Sequence, residues 1–366
     1  MNKTRELVWK IREAVAEGRM SASELPVEDI VHCVYTELEL YQNTNSQTQY
    51  LNILESFQRL QGSICEEMDL SKALLWLDAM LLCLDMLSDT IYSLANREYW
   101  EYKHRHHLQE PEVREIIDYI DKKHRVSLLC YDFRDDYMEL PVELYLDEEC
   151  GMLFVPYKGR NMYFPKSWDG ERVVKYFRSL LAEQDERSPH CYRHEIYGVK
   201  EGDVVVDVGA AEGIFSLDVI DIASKIFIIE ADEEWVEALQ QTFKKDGESV
   251  QILCGFADCV EEGDRVKLDG LFSEEIHYIK MDIEGYEKPA LQGAIRLLDE
   301  AKHMRCAICA YHCRGDEEWI REFLQQYGFE TEVSRGYMCP DWTVEAYTEA
   351  ELRRGLVFGR KEITAE

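Results

Sequence analysis

Apolar residues recur at helical spacing through the first third of the chain and in short strand-like runs through the last. Leu7, Ile11, Ala14 and Val15, then Ile30, Cys33, Val34 and Leu38, share one buried helical face. Leu74, Leu77, Leu81, Leu84 and Leu87 repeat the pattern, with Ser71 placed to cap a helix over 72–96. Glu110-Pro111-Glu112 opens another helix, to about Lys123. Residues 1–125 are therefore expected to form a helical domain, serving oligomerisation, a lid or substrate contact.

From 126 the pattern shifts to β-type runs, VSLLCYDF, VELYLD and GMLFVPYKGRNMYFP, with a hairpin turn at Lys158-Gly159-Arg160-Asn161. A helix from Glu171 to Leu181 follows, and the polar EQDERSPH stretch at 183–190 reads as a linker or a loop beside a site. Residues 126–198 are thus a mixed β/α connector.

In 199–366, short buried strands alternate with helical stretches, which marks an α/β domain with a mostly parallel sheet and helices on both faces. Strands are expected at 203–208, 225–230, 249–254, 276–281, 304–311, 329–334 and 355–360. Helices are expected at 213–222, 233–245, 287–300 and 316–327, with Gly328 closing the last.

Composition narrows the function. The 366 residues carry 41 Lys and Arg against 73 Asp and Glu, a formal charge of −32. Such a balance argues against a broad grip on nucleic acid or anionic membrane. The first twenty residues have no apolar h-region, and the 74–87 run is broken by Asp78 and Asp85, so neither export nor a membrane span is expected. Twelve cysteines without an export signal suggest reduced thiols and a cytoplasmic protein. Cys306, Cys309, His312, Cys313 and the distant Cys339 offer the nearest approach to a metal pattern, but strand alternation would split them between two faces. No metal is expected. One stretch is basic: Lys158, Arg160, Lys166, Arg172, Lys175 and Arg178 against Asp169 and Glu171, interleaved with aromatics. It reads either as a solvated face or as a lip for an anionic substrate.

Three clusters carry candidate chemistry, each at the end of an expected strand. The first is Asp207-Val208-Gly209-Ala210-Ala211-Glu212-Gly213, where small residues let a ligand approach the backbone. Glu230 ends the next strand, where a carboxylate can accept two ribose hydroxyls. A dinucleotide fingerprint would need glycines where Ala211 and Ile214 stand, and a pyrophosphate would meet Asp207, Glu212 and Glu230. A sulfonium cofactor without phosphate suits that charge better. The second cluster, Asp282-Ile283-Glu284-Gly285-Tyr286-Glu287, gathers three carboxylates at a strand-to-helix turn. The third, Tyr311-His312-Cys313-Arg314-Gly315-Asp316, offers His312 as a general base or as a structural histidine, with Asp316 as a helix cap.

These clusters resemble the FkbM-type family of S-adenosylmethionine-dependent methyltransferases, in VVVDVGAAEGIFSL, in IKMDIEGYEKPALQGA at 279–294 and in AICAYHCRGD at 307–316. The resemblance implies a class I methyltransferase fold, a Rossmann-like seven-stranded sheet with one antiparallel strand near the end, and methyl transfer to oxygen. It implies that Asp207, Gly209, Ala210 and Gly213 shape the cofactor pocket and that Glu230 holds the ribose. Asp258 would lie near the adenine amino group, and Asp282 beside the methionine part and the acceptor. His312 and Glu284 would position or deprotonate a hydroxyl. Acceptors in the family are sugars, polyketide-type products and other small hydroxyl compounds. Ala211-Glu212 departs from the asparagine common there. An NAD-linked oxidoreductase and a non-catalytic interaction protein on the same sheet are the rival readings.

Overall fold

A computed structural model describes residues 3–16, 19, 20, 77, 95, 97–340 and 349–363. The stripe from Ile30 to Leu38, and all of the expected 72–96 helix except Leu77 and Ala95, lie outside the described residues. The chain divides into two compact units, Met1–Leu128 with Cys339–Glu351, and Leu129–Met338 with Leu352–Glu366.

In the first unit, helix α1 (Lys3–Ala16) buries Val8, Ile11 and Val15, the spacing of one helical face. Helix α2 (Arg97–Lys103) buries Trp100. Helix α3 (Pro111–Lys123) starts with Pro111 in its first turn, where no amide donor is needed, and buries Val113, Ile116, Ile117 and Ile120. His124 ends it in the left-handed region, its amide donating to the Ile120 carbonyl at 2.7 Å.

The second unit begins with a departure from expectation. The VSLLCYDF run forms no strand; Asp132–Arg134 is a 3₁₀ turn that leads into helix α4 (Asp135–Met138). Asp132, Asp135 and Asp136 favour helix starts, where the backbone presents free amides. Strands β1 (Tyr145–Asp147), β2 (Met152–Tyr157) and β3 (Arg160–Tyr163) then form an antiparallel sheet. Lys158 and Gly159 both have positive φ, the two-residue turn that matches strand twist. Helix α5 (Gly170–Glu183) is capped by Asp169, which accepts from the Arg172 amide.

The main sheet comes from β4 (Val204–Val208), β5 (Lys225–Glu230), β6 (Val250–Cys254), β9 (Tyr278–Met281), β10 (His303–Cys309), β11 (Glu330–Val333) and β12 (Leu356–Glu362). Between them, β7 (Phe256–Ala257) and β8 (Arg265–Val266) pair apart as a short parallel ribbon that sequence patterning does not reveal. The order is β11-β12-β10-β9-β4-β5-β6, with only β12 antiparallel to its neighbours. Numbered within the sheet, that is 6-7-5-4-1-2-3 with the seventh strand reversed, a class I methyltransferase-like Rossmann fold. Helices α6 (Ile214–Val219), α7 (Glu233–Thr242), α8 (Glu287–Gln292), α9 (Ile295–Glu300) and α10 (Asp316–Gln326) belong to the same unit. The apolar core joins β4, β9 and β10 to α8, α9 and α10 through Val206, Ile279, Ile308, Leu291, Leu298 and Leu324.

The expected helix 287–300 is two helices. Gly293 lies so close to the Asp258 carbonyl that a Cβ would sit 2.0 Å from its oxygen, and the chain turns there. Among the described residues, no helix is long and apolar enough to cross a membrane.

Candidate active site

The chain winds one way from β4 to β5 and β6 and the other way from β9 to β10, so β4 and β9 flank the switch point of the sheet. Ligands in open α/β sheets bind outside the strand ends at such a point. Val208 and Met281 are in register there, and the chain leaves them through Gly209 and Asp282. Gly209 has φ +73, and a Cβ on it would fall 1.9 Å from the Asp282 carbonyl oxygen. Only glycine lets the two turns meet. Gly213, at φ +82, packs on Leu239 of α7, whose Cδ2 would lie 2.8 Å from a Cβ.

Asp207 is completely buried, and the structure aims its carboxylate away from any open cleft. It accepts from Ser216 at 2.7 Å and pairs with the Lys280 ammonium at 3.1 Å, its neighbour across the β4–β9 ladder. Lys280 also donates to the Gly209 carbonyl. Burial alone would lower the Lys280 pKa, but Asp207 and Asp282 hold it above the ordinary lysine value. The sequence argument that Asp207 leaves a charge for a cationic ligand is thereby corrected: Lys280 neutralises it, and Asp207 braces the turn from beneath.

Glu230 sits at the tip of β5, as the sequence suggests. One carboxylate oxygen accepts from the Ala211 amide and the other from the Asp232 amide, both at 2.9 Å. This ties the tip of β5 to the glycine turn, with lone pairs left over for a ligand. Ala210 is buried within that turn. Asp258 accepts from the Cys259 amide and from Arg265 at 2.9 Å, which hold its pKa down against burial.

Glu212 lies at the start of α6, buried, accepting from Tyr176 of α5 at 2.9 Å and facing the Ile214 amide at 3.4 Å. Burial pushes its carboxyl up to about 7. An acid raised from about 4.5 stabilises the fold fully below its unfolded pKa, and that stabilisation is lost as pH rises to the folded value. Glu212→Gln should thus gain on the wild type by up to about 3 kcal/mol between pH 5 and pH 8, measured by urea unfolding. A difference that does not change with pH would refute the buried-acid assignment.

Asp282 stands between two imidazoles. Its Oδ1 is 3.4 Å from His312 Nε2, and its Oδ2 is 3.5 Å from His190 Nε2 while accepting from Tyr192 at 2.7 Å. Burial would raise its pKa, yet His190, Lys280 and His312 hold it well below the usual carboxylate range. His312 Nδ1 is 2.8 Å from Glu287 Oε1, which also accepts the Ile283 amide. Burial would lower the His312 pKa, but Glu287 and Asp282 overcome it and lift the group to about 9. With the group raised to about 9, His312 carries a proton at neutral pH, which favours the positioning role among the two that the sequence leaves open. Glu284 points outward, its side chain 89% exposed, with Oε2 3.7 Å from His312 Nε2.

Sequence reasoning named none of His190, Tyr192 and Glu183, all beside Asp282 and all in or next to the 183–190 stretch, which it read as a linker or a loop beside a site; the second reading is the one the geometry supports. Glu183 is pushed up to about 6 by burial, countered by His190. The cysteine pattern does not assemble: Cys306 packs toward Gly359, while Cys309 lies 3.4 Å from His190 on the opposite face. Half of the cations of the basic stretch are paired. Lys158 pairs with Asp218, Arg160 with Asp246 and Lys166 with Glu237, so these cations dock the hairpin on α6 and α7 and the turn after α7.

Comparison with known proteins agrees with this geometry in part. Residues 262–331 match the methyltransferase FkbM domain. That span holds Asp282, Glu284, Glu287 and His312, but not the glycine turn or Glu230. It is narrower than the likeness read from the motifs. The fold is methyltransferase-like. Among solved structures, a methyltransferase FkbM from Methylobacillus flagellatus KT is 19% identical with a TM-score of 0.38, over 52% of this chain and 55% of that one. The chain thus spans about half the length of that protein. An S-adenosylmethionine-dependent methyltransferase from Aquifex aeolicus is 16% identical with a TM-score of 0.33, over 53% of this chain and 98% of that one. No curated protein matches the sequence.

Proposed function

We propose that the protein transfers a methyl group from S-adenosylmethionine to a hydroxyl oxygen of a small molecule or sugar. The observation that carries this reading is the buried carboxylate of Glu212 at the start of α6. A dinucleotide places its pyrophosphate at the first helix N-terminus of such a sheet, and here a side-chain carboxylate already holds that place. Glu230, fixed beside the turn, suits a ribose and not a phosphate. The NAD-linked reading loses its anion site.

When bound, S-adenosylmethionine supplies an activated methyl group on a sulfonium. Glu230 would accept the ribose hydroxyls, with Gly209 and Ala210 lining the approach. Asp282, ionised and held by two histidines, would face both cofactor and acceptor. The chain's contribution would be chiefly positioning, since in-line displacement gains most from orientation. The protonated His312 would fix Asp282 and the acceptor oxygen, and the hydroxyl proton would pass to the ionised Asp282 carboxylate or to water as the oxygen attacks.

Thermal shift with S-adenosylmethionine, S-adenosylhomocysteine and NAD tests the cofactor, because a ligand that binds only the native state raises its stability. The two adenosyl compounds should raise the midpoint, and Glu230→Ala should weaken their binding at least tenfold by calorimetry. A shift with NAD alone would overturn the reading. Mass analysis of small hydroxyl acceptors for a methyl adduct tests the transfer itself.

A further inference from the structure

His312 has a carboxylate at each edge of its ring. Nδ1 meets Glu287 Oε1 at 2.8 Å, and Nε2 faces Asp282 Oδ1 at 3.4 Å and Glu284 Oε2 at 3.7 Å. Ionised carboxylates only accept, so both ring nitrogens carry hydrogen. The side chain is 4% exposed, and Nε2 has no hydrogen-bond partner. A buried donor left this way is costly and calls for an acceptor atom from a ligand. Asp282 is committed on one oxygen only. Tyr192 donates to Oδ2 at 2.7 Å, on the side where His190 and Cys309 are buried, and Oδ1 is left facing His312. An unused N–H donor and a carboxylate oxygen thus stand side by side at the end of β9. One hydroxyl at about 2.8 Å from each spans that gap.

We propose that the methyl acceptor is a phenol or an enol, its oxygen accepting from His312 Nε2 and its proton passing to Asp282 Oδ1. This rests on the methyl-transfer reading and narrows the acceptor within it; the aliphatic hydroxyls of a sugar become the disfavoured class. As the oxygen bonds to the methyl carbon, the carbon–sulfur bond breaks and its electron pair stays on sulfur. The O–H bond breaks toward Asp282. Sulfonium, carboxylate and hydroxyl thus become thioether, carboxylic acid and methyl ether, with charge conserved.

The neighbours set the class, because none of them is a stronger base than a carboxylate. His312 has no nitrogen free to take a proton. His190 faces the closed oxygen Oδ2 at 3.5 Å, and Glu183 lies beyond it, 3.7 Å from His190 Nδ1. Lys280 is committed to Asp207 and to the Gly209 carbonyl. Tyr311 packs on His312 with ring centroids 4.2 Å apart, and burial holds its proton in place. Glu284 is a carboxylate like Asp282. Proton transfer works best between groups of similar acidity. A phenol, at about 10, stands roughly five units closer to a carboxylate than an aliphatic alcohol, which is comparable to water at about 16.

One arm of the test contains no cofactor. Para-nitrophenol, titrated into the full chain at a pH where the free probe is neutral, should give a saturable red-shifted absorbance as it shares its proton with the carboxylate. The shift should vanish in Asp282→Asn and weaken at least threefold in His312→Gln, whose amide keeps a donor without the charge. It should persist in Glu330→Gln, a surface carboxylate paired with Arg360. No shift in the wild type, or an unchanged shift in either site variant, would overturn the proposal. The other arm adds S-adenosylmethionine and reads methyl adducts by mass on matched pairs, phenol with cyclohexanol and beta-naphthol with its decahydro alcohol. The aromatic member should react at least about a hundredfold faster, within the span that positioned proton transfer supplies. Equal rates within the pairs would overturn the assignment. Calorimetry on the same samples separates the two readings. If S-adenosylmethionine does not bind, methyl transfer falls and this acceptor with it; if it binds and neither phenol is methylated, only the acceptor assignment falls.

Discussion

Replacing Lys280 by Met should destabilise the protein by about 3–5 kcal/mol, the usual cost of stranding one partner of a buried ion pair. Asp207 is fully buried, and after the change only Ser216 would remain bonded to its carboxylate. The loss would also free the Gly209 carbonyl, which Lys280 holds from below. The double variant Asp207→Asn with Lys280→Met should recover much of the loss, because a neutral amide keeps the Ser216 bond without a buried charge. Urea unfolding at pH 7 of the two single variants, the double and the wild type closes the cycle. A single-variant loss below about 1 kcal/mol, or no recovery in the double, would show that the pair is not the brace described.

That brace could have been read from the strands themselves. Asp207 and Lys280 are the charged residues in two otherwise apolar central strands, VVVDV and YIKM, and a charge buried on both faces needs a partner. Counting Asp207 as a free charge for a cationic cofactor left that demand out. The seven strands were legible because a parallel strand covered on both sides is a continuous apolar run with sharp ends. The same rule misread VSLLCYDF, in which Val126, Leu129, Cys130, Tyr131 and Phe133 are buried without joining a ladder. His190 and Tyr192 escaped for the opposite reason. They lie in or next to a polar stretch without periodicity, which could be read as a loop beside a site but carries nothing local to say which of its side chains reach the end of β9. Asp282 and His312 were readable by position, the first directly after Met281 of β9 and the second three residues past Cys309 of β10.

The protonation of the site is likewise a tertiary property. His312 alone would titrate near 6.5, and its sequence neighbours include Arg314 as well as Asp316. What lifts it to about 9 is Glu287, which arrives from the turn after β9. Glu212, by contrast, is driven toward neutrality by enclosure under Tyr176 of α5. The two groups are therefore held in opposite senses, His312 as a retained cation and Glu212 toward the neutral acid.

Substituting Gly209 by Ala should abolish measurable S-adenosylmethionine binding and cost more than about 3 kcal/mol of stability. Two penalties combine there. An L-residue in the left-handed region costs about 1–2 kcal/mol on backbone grounds alone. The added methyl would also fall 1.9 Å from the Asp282 carbonyl oxygen and 2.7 Å from Ile283 Cγ2, distances no real contact tolerates. Either the β4 turn or the β9 turn must move, and each carries part of the site: the first holds the Ala211 amide against Glu230, the second places Asp282 between its histidines. Gly159 separates the two penalties. Its φ is +79, but a Cβ there would meet nothing within 4 Å. Gly159→Ala should therefore lose only about 1–2 kcal/mol and keep cofactor affinity within twofold. Urea unfolding and calorimetry on both variants read the contrast. If Gly209→Ala behaved like Gly159→Ala in both measurements, the close meeting of the two strand ends would not be what shapes the pocket.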